Sequence, residues 1–117
     1  WGGGAALARL AGKARAAEMI LTGGKYTAQE ALAMGVVNRV SAPGKALAES
    51  MELAETIAKN GPRAVRAALA VIRNSPELSM KDALHLESEM AIDLITSGEC
   101  VYGISAFLSK KEPEFPD

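Results

Sequence analysis

β-Branched residues are scarce in this chain, and where they cluster limits what it can fold into. The run that reads as a strand is Val36-Val37-Asn38-Arg39-Val40, with Gly35 behind it and Ser41-Ala42-Pro43-Gly44 ahead. Lys25-Tyr26 offers at most an extended stub beside it. One short strand cannot make a sheet, because its backbone donors and acceptors need a partner ladder. Elsewhere Ala, Leu, Met, Glu and Lys dominate, and these are strong helix formers. The predicted class is therefore mainly α, with one or two short β-strands.

Glycine and proline divide the helical material. Ala5 to Leu10 starts a short helix that Ala11-Gly12 interrupts, and Lys13 to Leu21 continues it, with Ala17, Ile20 and Leu21 on one face. Thr22-Gly23-Gly24 stops that helix, since glycine accepts the left-handed conformation of a helix C-terminus. Thr27-Ala28-Gln29-Glu30 is a capping box, with hydroxyl and carboxylate each positioned to satisfy the other residue's amide. It opens a helix that Gly35 ends. Lys45 to Lys59 carries Leu47, Met51, Ala54 and Ala58 on one side, and Pro62 sits at the first position of the next helix, where a missing N–H costs nothing. That helix runs to Asn74. Ser79 with Asp82 opens another, whose face is predicted to hold Ala83, Leu84, Glu87, Met90, Ala91 and Leu94. A last helix spans about Val101 to Lys110. Short connections suggest two antiparallel pairs, 45–59 with 62–74 and 79–96 with 101–111.

Charge and cysteine content narrow the function classes. Among 117 residues, 13 Lys and Arg face 14 Asp and Glu, scattered along the chain, so no basic stripe exists to neutralise a phosphate backbone. Nucleic acid is a poor partner, and no apolar run approaches the ~18–20 residues that span a bilayer. Cys100 is the single cysteine, which rules out an internal disulfide, provides no zinc-ligand spacing and fits a reducing compartment.

Several residues carry possible chemistry. Gly2-Gly3-Gly4 before a helix could present amides to an anion, or could merely allow a tight turn; the spacing of a dinucleotide fingerprint or a P-loop is absent. His85, the only histidine, reads as a solvent or interface residue rather than a base. Glu87, on the expected apolar face, should be buried with a raised pKa or paired with a cation from another helix or subunit. Cys100 reads as a small core residue, and Ser41, Ser79 and Ser97 as turn or cap residues. Phe107-Leu108-Ser109-Lys110-Lys111 joins an aromatic to two cations at a helix end. The helix dipole alone explains such cations, but the cluster could also hold a phosphate or stack on a purine, and composition does not choose.

The order of motifs resembles the C-terminal half of the crotonase superfamily, the enoyl-CoA hydratase/isomerase proteins. The resemblance lies in Gly2-Gly3-Gly4 followed by Leu7-Ala8-Arg9-Leu10, then Leu21-Thr22-Gly23, Thr27-Ala28-Gln29-Glu30-Ala31 and Gly35-Val36-Val37-Asn38-Arg39-Val40. It continues through Ala54-Glu55-Thr56-Ile57-Ala58-Lys59-Asn60-Gly61-Pro62 and closes with Ala106-Phe107-Leu108-Ser109-Lys110-Lys111-Glu112-Pro113-Glu114-Phe115. It extends over essentially the whole chain. It implies the C-terminal helical half of an α/β, ββα-spiral fold, with residues 1–40 ending the spiral core and residues 41–117 forming a helical oligomerisation region. Phe107 and Lys110 match the positions at which the family's last helix flanks CoA.

The resemblance also implies an enzyme of acyl-CoA thioesters, a hydratase or isomerase working through an enolate, which needs no cofactor beyond the CoA of its substrate. The family's catalytic carboxylates and oxyanion-hole amides match nothing here, so no catalytic or metal-binding residue is assigned, and the isolated chain is expected to be inactive. Self-association as a trimer or hexamer and a cytoplasmic location are expected. The alternative is a non-catalytic helical module that oligomerises and binds CoA weakly or not at all. Two departures blur the subfamily. Gly3-Gly4-Ala5-Ala6-Leu7 stands where hydratases commonly show Gly-Gly-Thr-Gln-Arg, with a Trp-Gly beginning reminiscent of relatives that form or open rings. Tyr102-Gly103 stands where Glu-Gly is usual, which removes an acidic partner and leaves the role of Tyr102 open.

Overall fold

The computed structural model describes residues 3–115. They form two compact units, one running to Glu49 and the other beginning at Ser50.

In the first unit, α1 (Gly3–Ala11) and α2 (Lys13–Thr22) pack on each other. Gly12 breaks them apart at φ 85°, a conformation that a side chain would strain. Ala16, 3% exposed, is the one fully buried hydrophobic residue among the described residues. Gly3 and Gly4 lie inside α1 rather than in a turn before it, and Gly2 is outside the described residues. α3 (Ala28–Ala33) begins at the expected capping box. The Glu30 N–H donates to Thr27 Oγ1 at 3.2 Å, and the Thr27 N–H donates to Glu30 Oε2 at 2.7 Å. At its other end the Gly35 N–H donates to the Leu32 carbonyl at 3.0 Å and the Val36 N–H to the Ala31 carbonyl at 2.9 Å. With Gly35 at φ 75°, this is a Schellman motif. Arg15 Nη1 ties α2 to this corner by donating to the Met34 carbonyl at 2.9 Å.

That corner explains why the expected strand does not form. The amides of Val36 and Val37 both turn back to the Ala31 carbonyl, so the start of the run closes α3 instead of entering a ladder. Residues 36–40 are irregular, and no strand occurs among the described residues. β-Propensity had no partner edge to act on.

The second unit is built from α4 (Ala46–Ala58, which starts just before the boundary), α5 (Pro62–Asn74), α6 (Met80–Thr96) and α7 (Glu99–Leu108), with a 3-10 turn at Ser75–Glu77. α5, α6 and α7 pack mutually, whereas α4 has no neighbour of comparable extent, so the expected pairing of α4 with α5 is not the main contact. α6 and α7 are not antiparallel either. The break at Ser97-Gly98 bends the two axes by 71°. Ser79 caps α6 as expected, accepting the Asp82 N–H at 3.2 Å. The inward face of α6 is Ala83, Leu86, Met90 and Leu94, a stripe rotated from the predicted one, which leaves Leu84 and Glu87 exposed.

Little of this apolar material is covered. The accessible surface is 9520 Å². A compact protein of 12.2 kDa would expose about 6,000 Å², and two separate compact bodies sharing that mass about 7,300 Å². Ile72, Ile92, Ile95, Val101, Phe107 and Leu108 are all open to solvent. No single described helix is long and apolar enough to cross a membrane.

Candidate functional site: the end of α7 and the folded-back tail

α7 begins at Glu99 because Gly98, at φ 81°, makes the sharp entry that its two-residue connection demands. Glu99 is itself a structural ligand. α5 starts with Gly61 as its N-cap, and a glycine has no side chain to satisfy the first helical amides. The Glu99 carboxylate takes that role from across the unit, accepting the Ala64 N–H at 2.8 Å on Oε1 and the Arg63 N–H at 3.2 Å on Oε2. Gly61 is buried against it, and a Cβ added there would lie 2.8 Å from Glu99 Cδ. Sequence reasoning missed this contact. The available signal was a Gly-Pro helix start with no capping side chain of its own.

The other end of α7 carries the sequence-predicted pair. Phe107 is 79% exposed, and Lys110 follows at φ 53°, the only non-glycine residue with positive φ among the described residues. The Lys110 N–H donates to the Phe107 carbonyl at 3.0 Å and the Lys111 N–H to the Ala106 carbonyl at 2.9 Å. This repeats the Schellman motif of α3, with lysine in the place that Gly35 fills there. The structure thus brings Phe107 and Lys110 together within one turn, both on the surface.

Beyond Lys111 the chain folds back along α7. The Glu114 N–H donates to the Tyr102 hydroxyl at 3.3 Å, and the Phe115 ring meets the Tyr102 ring edge-on, with centroids 5.5 Å apart and planes at 71°. Phe115 also lies against Gly103, where an added Cβ would stand 3.4 Å from the ring, an ordinary contact. A cleft of about 690 Å³ opens here between Arg63, Arg66, Glu99, Tyr102 and Glu114. An adjoining groove of about 430 Å³ is almost wholly apolar, lined by Ala64, Leu94, Ile95, Cys100, Ile104 and Phe115.

The remaining candidates separate. Cys100 is exposed on that groove rather than buried in a core. Glu87 is exposed at the rim of a second apolar groove, with Val71, Ile72 and Met90, because the α6 face is rotated away from it. His85 is a surface residue, with Nε2 3.5 Å from Glu89 Oε1 one turn along. Ser97 closes α6, donating to the Leu94 carbonyl at 2.8 Å and accepting the Glu99 N–H at 3.3 Å; Ser41 lies in the connection before α4. Glu30 is held below the ordinary glutamate value of 4.5 by the Thr27 amide, then by the Thr27 hydroxyl, which is capping and not catalysis.

Comparison with known proteins relates this geometry to a family. The family model described as enoyl-CoA hydratase/isomerase matches residues 1–117. A 2,3-dehydroadipyl-CoA hydratase of Escherichia coli is 35% identical over 97% of this chain and 45% of its own length. Enoyl-CoA hydratase EchA19 of Mycobacterium tuberculosis is 36% identical over 86% of this chain and 38% of its own. The solved enoyl-CoA hydratase of Bacillus anthracis superposes with a TM-score of 0.93 at 36% identity, covering 97% of this chain and 44% of that one. The chain thus spans less than half the length of the curated relatives it matches, and its fold is that of their C-terminal helical half. Sequence, fold and the succession of helices agree that this chain belongs to the enoyl-CoA hydratase/isomerase family.

Proposed function

We propose that the protein acts on acyl-CoA thioesters as a hydratase or isomerase, and that the end of α7 flanks the CoA while other parts of the enzyme perform the chemistry. Family membership supports the reaction class. The observation that carries the site is the pairing of a freely exposed Phe107 with Lys110 in one helix-ending turn. Covering an exposed phenyl ring returns about 2 kcal/mol, and a purine is a suitable flat cover. An exposed lysine in the same turn offers an ammonium that suits a phosphate.

The chemistry expected of such an enzyme is protonation and deprotonation by carboxylates around an enolate held by backbone amides. The chain's own carboxylates are a poor match for those roles. Glu30 and Glu99 are occupied as helix caps, and Glu87 and Glu89 lie on the surface. The 117-residue polypeptide alone is therefore expected to be catalytically silent. The uncovered faces of α4 to α7 support self-association, as a trimer or hexamer, and the lone thiol supports a cytoplasmic location.

Hydration of crotonyl-CoA, followed by loss of enoyl absorbance, tests the assignment. The full-length protein should hydrate it, or shift its double bond, and the 117-residue polypeptide should not. A Phe107→Ala/Lys110→Ala variant should bind CoA more weakly. Turnover by the short polypeptide would overturn the division of labour, and unchanged CoA affinity in the double variant would overturn the site. A full-length protein inert toward acyl-CoA that still self-associates would favour the non-catalytic module. Light scattering that reports a stable monomer at micromolar concentration would remove the oligomer.

A further inference from the structure

Lys110 occupies a conformation that an L-residue adopts at a cost, in a place where glycine is the usual choice. Two hydrogen bonds of the helix-ending motif support it, and neither sets the path of the chain after Lys111. The next attachment is at Tyr102, two turns back along α7. Its hydroxyl accepts the Glu114 N–H, and its ring makes a T-shaped contact with Phe115. The segment from Lys110 to Phe115 is thus fastened at both ends to one helix. If the Tyr102 attachment is cut, the residues after Lys111 regain backbone freedom and Lys110 is tethered from the helix side alone.

We infer that Tyr102 is a positioning residue for Lys110: by clasping Glu114 and Phe115 it holds the returning tail, and through the tail the left-handed lysine, in the geometry that meets a CoA phosphate. This rests on the proposed CoA contact of Lys110. The clasp does not touch the ligand. It lowers the entropy that binding would otherwise have to remove.

The test uses the full-length protein and CoA as the probe, by calorimetric titration, with Lys110→Ala, Tyr102→Ala, Tyr102→Phe and the Tyr102→Ala/Lys110→Ala double variant. Lys110→Ala should weaken CoA binding about fivefold, the upper range for an exposed ion pair. Tyr102→Ala should by itself weaken binding nearly as much, Tyr102→Phe less, and the double variant should be no weaker than Lys110→Ala. Amide hydrogen exchange should show Glu114 deprotected in both Tyr102 variants, a readout independent of ligand. If Lys110→Ala weakens binding while both Tyr102 variants bind as the parent does, the clasp has no positioning role and the CoA contact survives. Additive losses in the double variant would equally overturn it, since Tyr102 would then act on something other than Lys110. If Lys110→Ala leaves CoA affinity unchanged, the contact itself fails and the inference fails with it. Tyr102→Phe guards against a folding defect, because it keeps the ring and removes only the hydroxyl.

Discussion

The Glu99 carboxylate accepts the Ala64 amide at 2.8 Å, so a side chain at the start of α7 caps α5 from 35 residues away. Removing it leaves the opening amides of α5 without their acceptor. Glu99→Ala is expected to destabilise the fold by about 1–2 kcal/mol in denaturant unfolding. Glu99→Gln, which keeps one acceptor oxygen, should lose less. Gly61→Ala should cost nearly as much as Glu99→Ala, because the new methyl group displaces the carboxylate. In the Glu99→Ala background the same Gly61→Ala change should cost much less, since φ −54° suits alanine and no carboxylate is left to displace. Simple additivity of the two substitutions would contradict this coupling.

Lys110→Gly separates stability from binding. Glycine relieves the left-handed backbone and should raise stability by up to about 1 kcal/mol, seen as a higher unfolding midpoint. The same change removes the ammonium, so CoA affinity should fall. A variant less stable than the parent would show that the lysine side chain makes a supporting contact outweighing the backbone cost.

Acid should act on α3 through its capping box. The Thr27 amide, and then the Thr27 hydroxyl, hold the Glu30 carboxyl below its ordinary value of 4.5. The folded chain therefore binds fewer protons than the unfolded chain in this range. The stabilisation is complete above 4.5 and is lost as pH falls through the lower folded value. Thr27→Ala should move the Glu30 titration, followed by carboxyl carbon shifts, back toward 4.5 and flatten the acid limb of stability. An unmoved titration would mean that other groups hold the charge.

Ser79→Ala removes the acceptor that meets the Asp82 amide at 3.2 Å and should cost about 1 kcal/mol. Ser79→Asp, which keeps an acceptor at the cap, should restore most of it. Thermal unfolding of the three proteins distinguishes a cap from a bystander.

Local chemistry was enough to locate most of the helices. The Thr27–Glu30 box, the Ser79 cap, Pro62 at the start of α5 and Gly23 after α2 act within a turn of their own position, so a reader of residues alone can place them. Phe107 and Lys110 were singled out by the family resemblance, and their closeness in one helix end follows from their three-residue spacing. Tertiary structure decided what depended on distant partners. Val36 to Val40 carried strand propensity, but the first amides of the run went to Ala31. The α6 face turned toward Leu86 and away from Glu87, because its neighbours α5 and α7 selected the stripe to cover. Glu99 became a cap and Tyr102 a clasp only when the fold brought Ala64 and Glu114 to them. Propensity and capping are short-range free energies, written in neighbouring residues; which faces are covered and which remote amides are satisfied depends on how the helices pack, and no window of sequence contains that.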